Sequence, residues 1–261
     1  MSIEYYMFEF HHIQLFLHPQ NFIFKYRTMK KNYLIILLIF LSCLLNAQNV
    51  QLHYDFGKDR SYATSTVEMF KSDKWGSTFF FVDMDYNVGD VKGVSMAYWE
   101  IARALNLGKG PFAAHVEYNG GFGQYVAGEA NNAYTINDAW LGGLEYNYNN
   151  ADFSRGFTIQ MLYKYIRDKH DASFQLTGVW YMNMLNNKLT FSGFADFWRE
   201  DNFFAENEQI KETKFIFLSE PQLWYNFTEN ISLGSEVEIG CNFGAVKGFR
   251  LNPTLGAKWT F

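Results

Sequence analysis

The chain has 261 residues, 48% hydrophobic and 20% aromatic, with a mean hydropathy of −0.20 and a formal charge of −5. Its apolar residues are diluted by polar ones instead of gathered into spans, which excludes a helical membrane protein, and the modest acidity excludes the basic face that nucleic-acid binding needs. The length suits one all-β domain, since such domains run to a couple of hundred residues without dividing.

The one continuous apolar run, Tyr33 to Leu45, is too short for a spanning helix, which needs about 20 residues. Lys30-Lys31 precede it and Asn46-Ala47-Gln48 follow, the charged, apolar and small-residue regions of a secretory signal peptide cut after Ala47. Met29 stands where such a peptide begins. Residues 1–28 have no pattern a fold needs and read as an upstream extension from a start codon placed too early, with a genuine amino-terminal extension as the alternative. Cys43 has a poor lead-in for lipidation in Phe40-Leu41-Ser42. Residues 1–47 carry four basic and two acidic side chains, so their removal leaves residues 48–261 at a charge of −7. Cys241 is then the only cysteine, which excludes an internal disulfide and a cysteine-rich metal site. No cofactor is expected.

From Val50 the chain alternates, Val50, Leu52, Tyr54 and Phe56 against Gln51, His53 and Asp55, which is the period of a half-buried strand. Gly57 to Ser61 reads as a loop and Tyr62 to Phe70 as a second strand, turned by Ser72-Asp73-Lys74. Gly76 to Tyr86 is the clearest internal strand: Thr78, Phe80, Val82, Met84 and Tyr86 share one face, and Phe79, Phe81, Asp83 and Asp85 the other. Two carboxylates cannot face lipid cheaply, so they point inward and take both phenylalanines with them. Ala97 to Leu107 puts Trp99 and Ile101 outward, Tyr98 and Glu100 inward, with an irregularity expected at Arg103. Phe112 to Asn119 sets Ala114, Val116 and Tyr118 against His115, Glu117 and Asn119. Gly120 to Ile136, rich in Gly and Asn, reads as a long loop; its glycines lack the strand-to-helix setting of a phosphate cradle. Strands follow at Ala139 to Tyr148, Phe157 to Ile166, Ser173 to Met182 and Leu189 to Trp198, then a second long connector from Arg199 to Thr213, and strands at Phe215 to Tyr225 and Ile231 to Cys241.

The last stretch, Leu251 to Phe261, separates into Leu251, Pro253, Leu255, Ala257, Trp259 and Phe261 on one face and Asn252, Thr254, Gly256, Lys258 and Thr260 on the other. It resembles the carboxy-terminal signal of bacterial outer-membrane β-barrels, which implies that Trp259 and Phe261 address the barrel assembly machinery. The count reaches about twelve, an even number as a single-chain barrel needs. The expected fold is a single antiparallel transmembrane β-barrel over residues 48–261, in contact with outer-membrane lipid. With both termini in the periplasm, the two longest connectors face outside, the usual asymmetry. Trp75 to Asp83, Tyr98-Trp99-Glu100 and Phe261 also resemble an uncharacterised outer-membrane family related to the nucleoside-specific channel-forming (Tsx-like) porins. The resemblance implies a narrow pore lined by aromatic and ionisable residues.

The expected lumenal row is Phe79, Phe81, Tyr98, Trp198 and Trp224 beside Asp83, Asp85, Glu100, Glu117, Asp196, Glu220, Glu236 and Glu238. Aromatic faces can stack on a flat base, and carboxylates can accept from hydroxyls or amines, which makes a path for a small polar solute such as a nucleoside. The alternative is a lumen plugged by its own side chains, with Lys164, Arg103, Arg199 and Lys258 pairing the acids. A hydrolase is the third reading: it needs a nucleophile, His53, His115 or His170, and an acid within hydrogen-bond reach, and the spacing shows none. Asp83/Asp85 and Glu236/Glu238 as cation ligands are a weaker reading than lining water.

Overall fold

The computed structural model describes residues 48–169, 173–203 and 211–261; the segments read as signal peptide and upstream extension, and His170, lie outside them. The strands are β1 (Gln48–Asp55), β2 (Ala63–Asp73), β3 (Gly76–Tyr86), β4 (Val94–Asn106), β5 (Phe112–Ala127), β6 (Ala130–Asn149), β7 (Arg155–Ile166), β8 (Ser173–Met184), β9 (Leu189–Phe203), β10 (Lys211–Ser219), β11 (Gln222–Asn226), β12 (Ile231–Cys241) and β13 (Phe249–Thr260). Each pairs antiparallel with its neighbours, and β13 pairs with both β12 and β1, closing the sheet. β10 and β11 both lie between β9 and β12. They are one strand interrupted at Glu220-Pro221, because proline has no N–H to give the ladder. The barrel therefore has twelve staves.

Closure removes every sheet edge, so backbone groups are satisfied without water. Alternation then decides what each face meets. On β7 Ile159, Met161, Tyr163 and Tyr165 are exposed outward, while Gln160, Leu162, Lys164 and Ile166 are buried inward. Aromatic pairs band the outside near both rims: Trp259 with Phe261 and Tyr225 with Phe227 at the rim that carries both termini, and Phe197 with Phe215 toward the other. An apolar exterior flanked by aromatics is the surface of a barrel in lipid.

The β3 faces follow the alternation. Val82 pairs with Val67 and Trp99 outside, while Asp83 accepts from Thr66 Oγ1 at 2.6 Å inside. Val82→Arg should therefore lower stability by about 2–4 kcal/mol, the effect of a cation near the bilayer midplane, whereas Asp83→Asn keeps an acceptor for Thr66 and should leave folding intact. A refolding titration in which both variants behave alike would reverse the facing of β3.

Three expectations are corrected. Gly120 to Ile136 is not a loop: β5 and β6 pair with each other up to Ala127 and Ala130, around a turn at Gly128, whose φ of 64° suits glycine. The β4 ladder on β5 ends at Met96 and Gly123, and the β7 ladder on β6 at Ile166 and Ala139, so this hairpin rises above its neighbours. The break in register is not at Arg103, where β3 and β4 pair without interruption, but at Asp85/Tyr86 and at Asn119/Gly121. The connector after Arg199 is shorter than expected, since β9 continues to Phe203 and β10 begins at Lys211.

Candidate functional site

The lumen has a filled part and an open part. Near the terminal rim Trp224 is 0% exposed. Its Nε1 donates to Gln222 Oε1 at 2.8 Å, Lys258 Nζ sits 4.3 Å from the ring centroid, and the His53 ring meets it edge-on at 5.5 Å. Space for these rings comes from Gly234 and Gly256, paired across β12 and β13: a Cβ on the first would strike the indole, and on the second the imidazole. His53 is further held by Thr254 Oγ1 at 2.8 Å and Gln51 Oε1 at 3.1 Å.

On the β5–β7 wall a second cluster fills the interior. His115 has Glu145 Oε2 2.8 Å from Nδ1 and Glu117 Oε2 3.0 Å from Nε2, and all three residues are buried. Asn147 also donates to Glu145, at 2.8 Å. Ala139, Leu141, Leu162 and Ile166 form an apolar patch on the same inner wall. Among the described residues neither His53 nor His115 bonds a serine, so the hydrolase geometry is not assembled around them.

The open part is a cavity of about 810 Å³. Eleven of the thirteen expected lumenal residues line it: Phe79, Phe81, Asp83, Asp85, Tyr98, Glu100, Asp196, Trp198, Glu220, Glu236 and Glu238. Glu117 is instead taken up by His115, and Trp224 is packed below the cavity with Gln222. Phe79, Phe81 and Tyr98 make one aromatic surface, with successive centroids 6.0 Å apart. Among the described residues the lining holds ten carboxylates against three cationic side chains, Arg60, Lys164 and Lys169.

Several of these acids are already engaged. Asp85 accepts from Thr64 at 2.8 Å, Glu100 from Tyr98 at 2.7 Å, Asp196 from Thr177 at 2.5 Å and Glu236 from Gln222 at 2.5 Å. Arg60, in the β1–β2 connector, bridges Asp55 at 2.9 Å and Glu238 at 2.8 Å. Burial works against its charge, but Glu238 and Asp55 outweigh burial and leave its pKa raised. Lys164 donates to Gln175 at 2.6 Å and lies 4.2 Å from the Trp198 ring centroid, and Lys169 pairs with Glu200 at 3.0 Å.

Arg103 and Arg199, expected among the lumenal cations, are on the outer face. Arg103 lies by the β2–β3 turn, 2.8 Å from Asp73 and 2.9 Å from Thr78. Arg199 shares its face with Phe197 and pairs with the exposed Phe215. Alternation puts them there: Trp198 and Glu200 are the inward neighbours of Arg199. Sequence reasoning missed Arg60, Lys169, Asn119 and the hairpin residues Tyr134, Thr135 and Ile136 as cavity lining. Asn119 carried a signal, since it continues the inward parity of His115 and Glu117; the hairpin residues were hidden by the loop-like composition around them.

A family model described as "Domain of unknown function (DUF5020)" matches residues 47–261. No curated protein matches the sequence. Among solved structures, the NanC porin is 13% identical with a TM-score of 0.53, over 82% of this chain and 100% of that one. The KdgM porin is 11% identical with a TM-score of 0.45, over 82% and 98%, and Omp33 of Acinetobacter baumannii 12% with 0.41, over 83% and 98%. The likeness to the NanC porin shows the fold, that of bacterial outer-membrane porins. With the lipid-facing exterior it places the barrel in the outer membrane. The expected kinship thus stands at the level of an uncharacterised family with a porin fold; kinship to nucleoside channels in particular is not part of it.

Proposed function

The chain belongs to the DUF5020 family, and we propose that its barrel is an outer-membrane channel for small polar solutes, neutral or cationic. The observation that carries this reading is the cavity, with its carboxylate excess on one polar lining. Carboxylates around a watery passage favour cations and repel anions. Nucleosides stay within the class, because the Phe79, Phe81 and Tyr98 wall offers a surface on which a flat base can stack. In this reading Trp259 and Phe261 present the assembly signal and the outer face meets lipid.

The proposal sets an order of importance among the acids. Glu238 is paired with Arg60, whereas the Glu220 carboxylate has no hydrogen-bond or ion-pair partner among the described residues, and its strongest electrostatic neighbours are other acids, Glu236, Asp83, Glu238 and Glu100. The refolded barrel in a planar bilayer should pass cations in preference to anions. Glu220→Gln combined with Asp83→Asn should lower that preference clearly, while Glu238→Gln alone should lower it less. Anion preference in the unaltered protein would refute the proposal. A second reading, a barrel whose lumen is closed, has a specific observation behind it in the complete burial of Trp224. Absence of current through a verified folded barrel would favour that reading.

A further inference from the structure

Asn119 is an unsatisfied polar group in the wall of the cavity. The residue is 5% exposed, it lines the cavity, and its Oδ1 has no hydrogen-bond partner among the described residues. A buried acceptor without a donor destabilises the fold that holds it, and an unpaired group in a native structure calls for an explanation. Its surroundings supply one. Asn119 pairs in register with Glu100, and Glu100 with Phe81, so amide, carboxylate and aromatic ring are successive inward neighbours on β5, β4 and β3. Tyr98 donates to Glu100 at 2.7 Å and packs against Phe81. Across the lumen the strand break at Pro221 leaves Glu220 at the cavity wall, electrostatically coupled to Glu100 and without a cation of its own among the described residues.

We propose that this is a binding site for an organic ammonium ion with a flat apolar body. The inference rests on the channel reading only in requiring that a solute reach the cavity. The aromatic wall takes the flat body by stacking and cation–π contact. The ammonium group lies between Glu100 and Glu220, where confinement strengthens its attraction to both, and Asn119 Oδ1, sealed from solvent in the unliganded wall, turns toward the cavity to accept from one of its N–H groups. Such a ligand satisfies the amide oxygen and the unpartnered carboxylate together. A neutral sugar satisfies the amide but leaves Glu220 without its counter-charge, a neutral nucleoside adds stacking but no charge, and an anion meets the carboxylates with like charge.

The test is isothermal titration of the refolded barrel in detergent with four probes: phenethylammonium, ethanolammonium, adenosine and benzoate. Phenethylammonium should bind saturably and most tightly, ethanolammonium and adenosine more weakly, and benzoate not at all. Asn119→Leu and Glu220→Gln should each weaken phenethylammonium binding on the order of tenfold, the scale of a hydrogen bond or ion contact to a charged group. Folding of each variant is checked by its urea midpoint, and Asn119→Asp, which keeps an acceptor, should retain binding if Asn119→Leu fails to fold. Adenosine or benzoate binding as tightly as phenethylammonium would overturn the proposal, as would unchanged affinity in both substituted barrels. Binding without conductance would keep this site and retire the channel, whereas conductance without saturable binding would keep the channel and retire the site.

Discussion

His115→Leu should destabilise the barrel by about 3–5 kcal/mol, the cost of breaking a buried charged arrangement by removing one partner. The imidazole is the group that bonds Glu117 and Glu145 together, at 3.0 and 2.8 Å, and all three are buried. Leucine fills much of the volume but gives neither carboxylate a donor. Glu145 keeps Asn147, at 2.8 Å, so Glu117 suffers more from the loss. The origin of the effect can be separated from packing. Adding Glu117→Gln to His115→Leu removes the carboxylate left unpaired and should recover a large part of the stability. Urea titrations of refolding into lipid vesicles measure both. A loss below about 1 kcal/mol for the single variant would mean that the cluster is surrounded by water and not built into the wall.

What the sequence disclosed and what it hid divide along the range of the interactions. The facing of Val82 against Asp83, or of Leu255 against Thr254, was legible because alternation has period two and a one-residue slip would expose every carboxylate to lipid. The closing role of Leu251 to Phe261 was legible for the same reason, and β13 does pair with β1. The segment 120–136 was not, because Gly120, Gly121, Gly123 and the asparagines have the composition of a loop, and their ladder partners lie on the other arm of the hairpin. Arg103 was misplaced for a related reason. A cation on a lipid-facing parity looks like an error in the pattern, but it sits at the rim, where the penalty for charge fades, beside an Asp73 thirty residues away. Within the site, parity delivered the inward list but not the partition of that list. That Glu117 belongs to His115, that Arg60 from a connector pairs with Glu238, and that Trp224 lies across Gly234 all depend on pairings between distant strands.

Trp224→Ala should raise the single-channel conductance of the folded barrel, and this result ties the fold to the proposed channel most directly. The cavity is lined by the expected acids other than Glu117, but Trp224 is absent from its lining and wholly buried toward the terminal rim, between Gln222, Lys258 and His53. A solute crossing the barrel must pass this packed layer, so the floor and not the mouth should limit the current. Removing the indole opens a void over Gly234 and Gly256, neither of which has a side chain to refill it. The variant should also lose about 3–5 kcal/mol of stability, as a buried Trp→Ala change does, so the current is to be recorded on protein shown to be folded. Trp224→Phe separates the two effects: a large flat ring remains across Gly234, and conductance should stay close to that of the unaltered barrel even though the hydrogen bond to Gln222 is gone. Equal conductance for Trp224→Ala and the unaltered protein would place the constriction elsewhere, at the His115 cluster or at the β5–β6 hairpin, whose Tyr134 and Ile136 line the cavity.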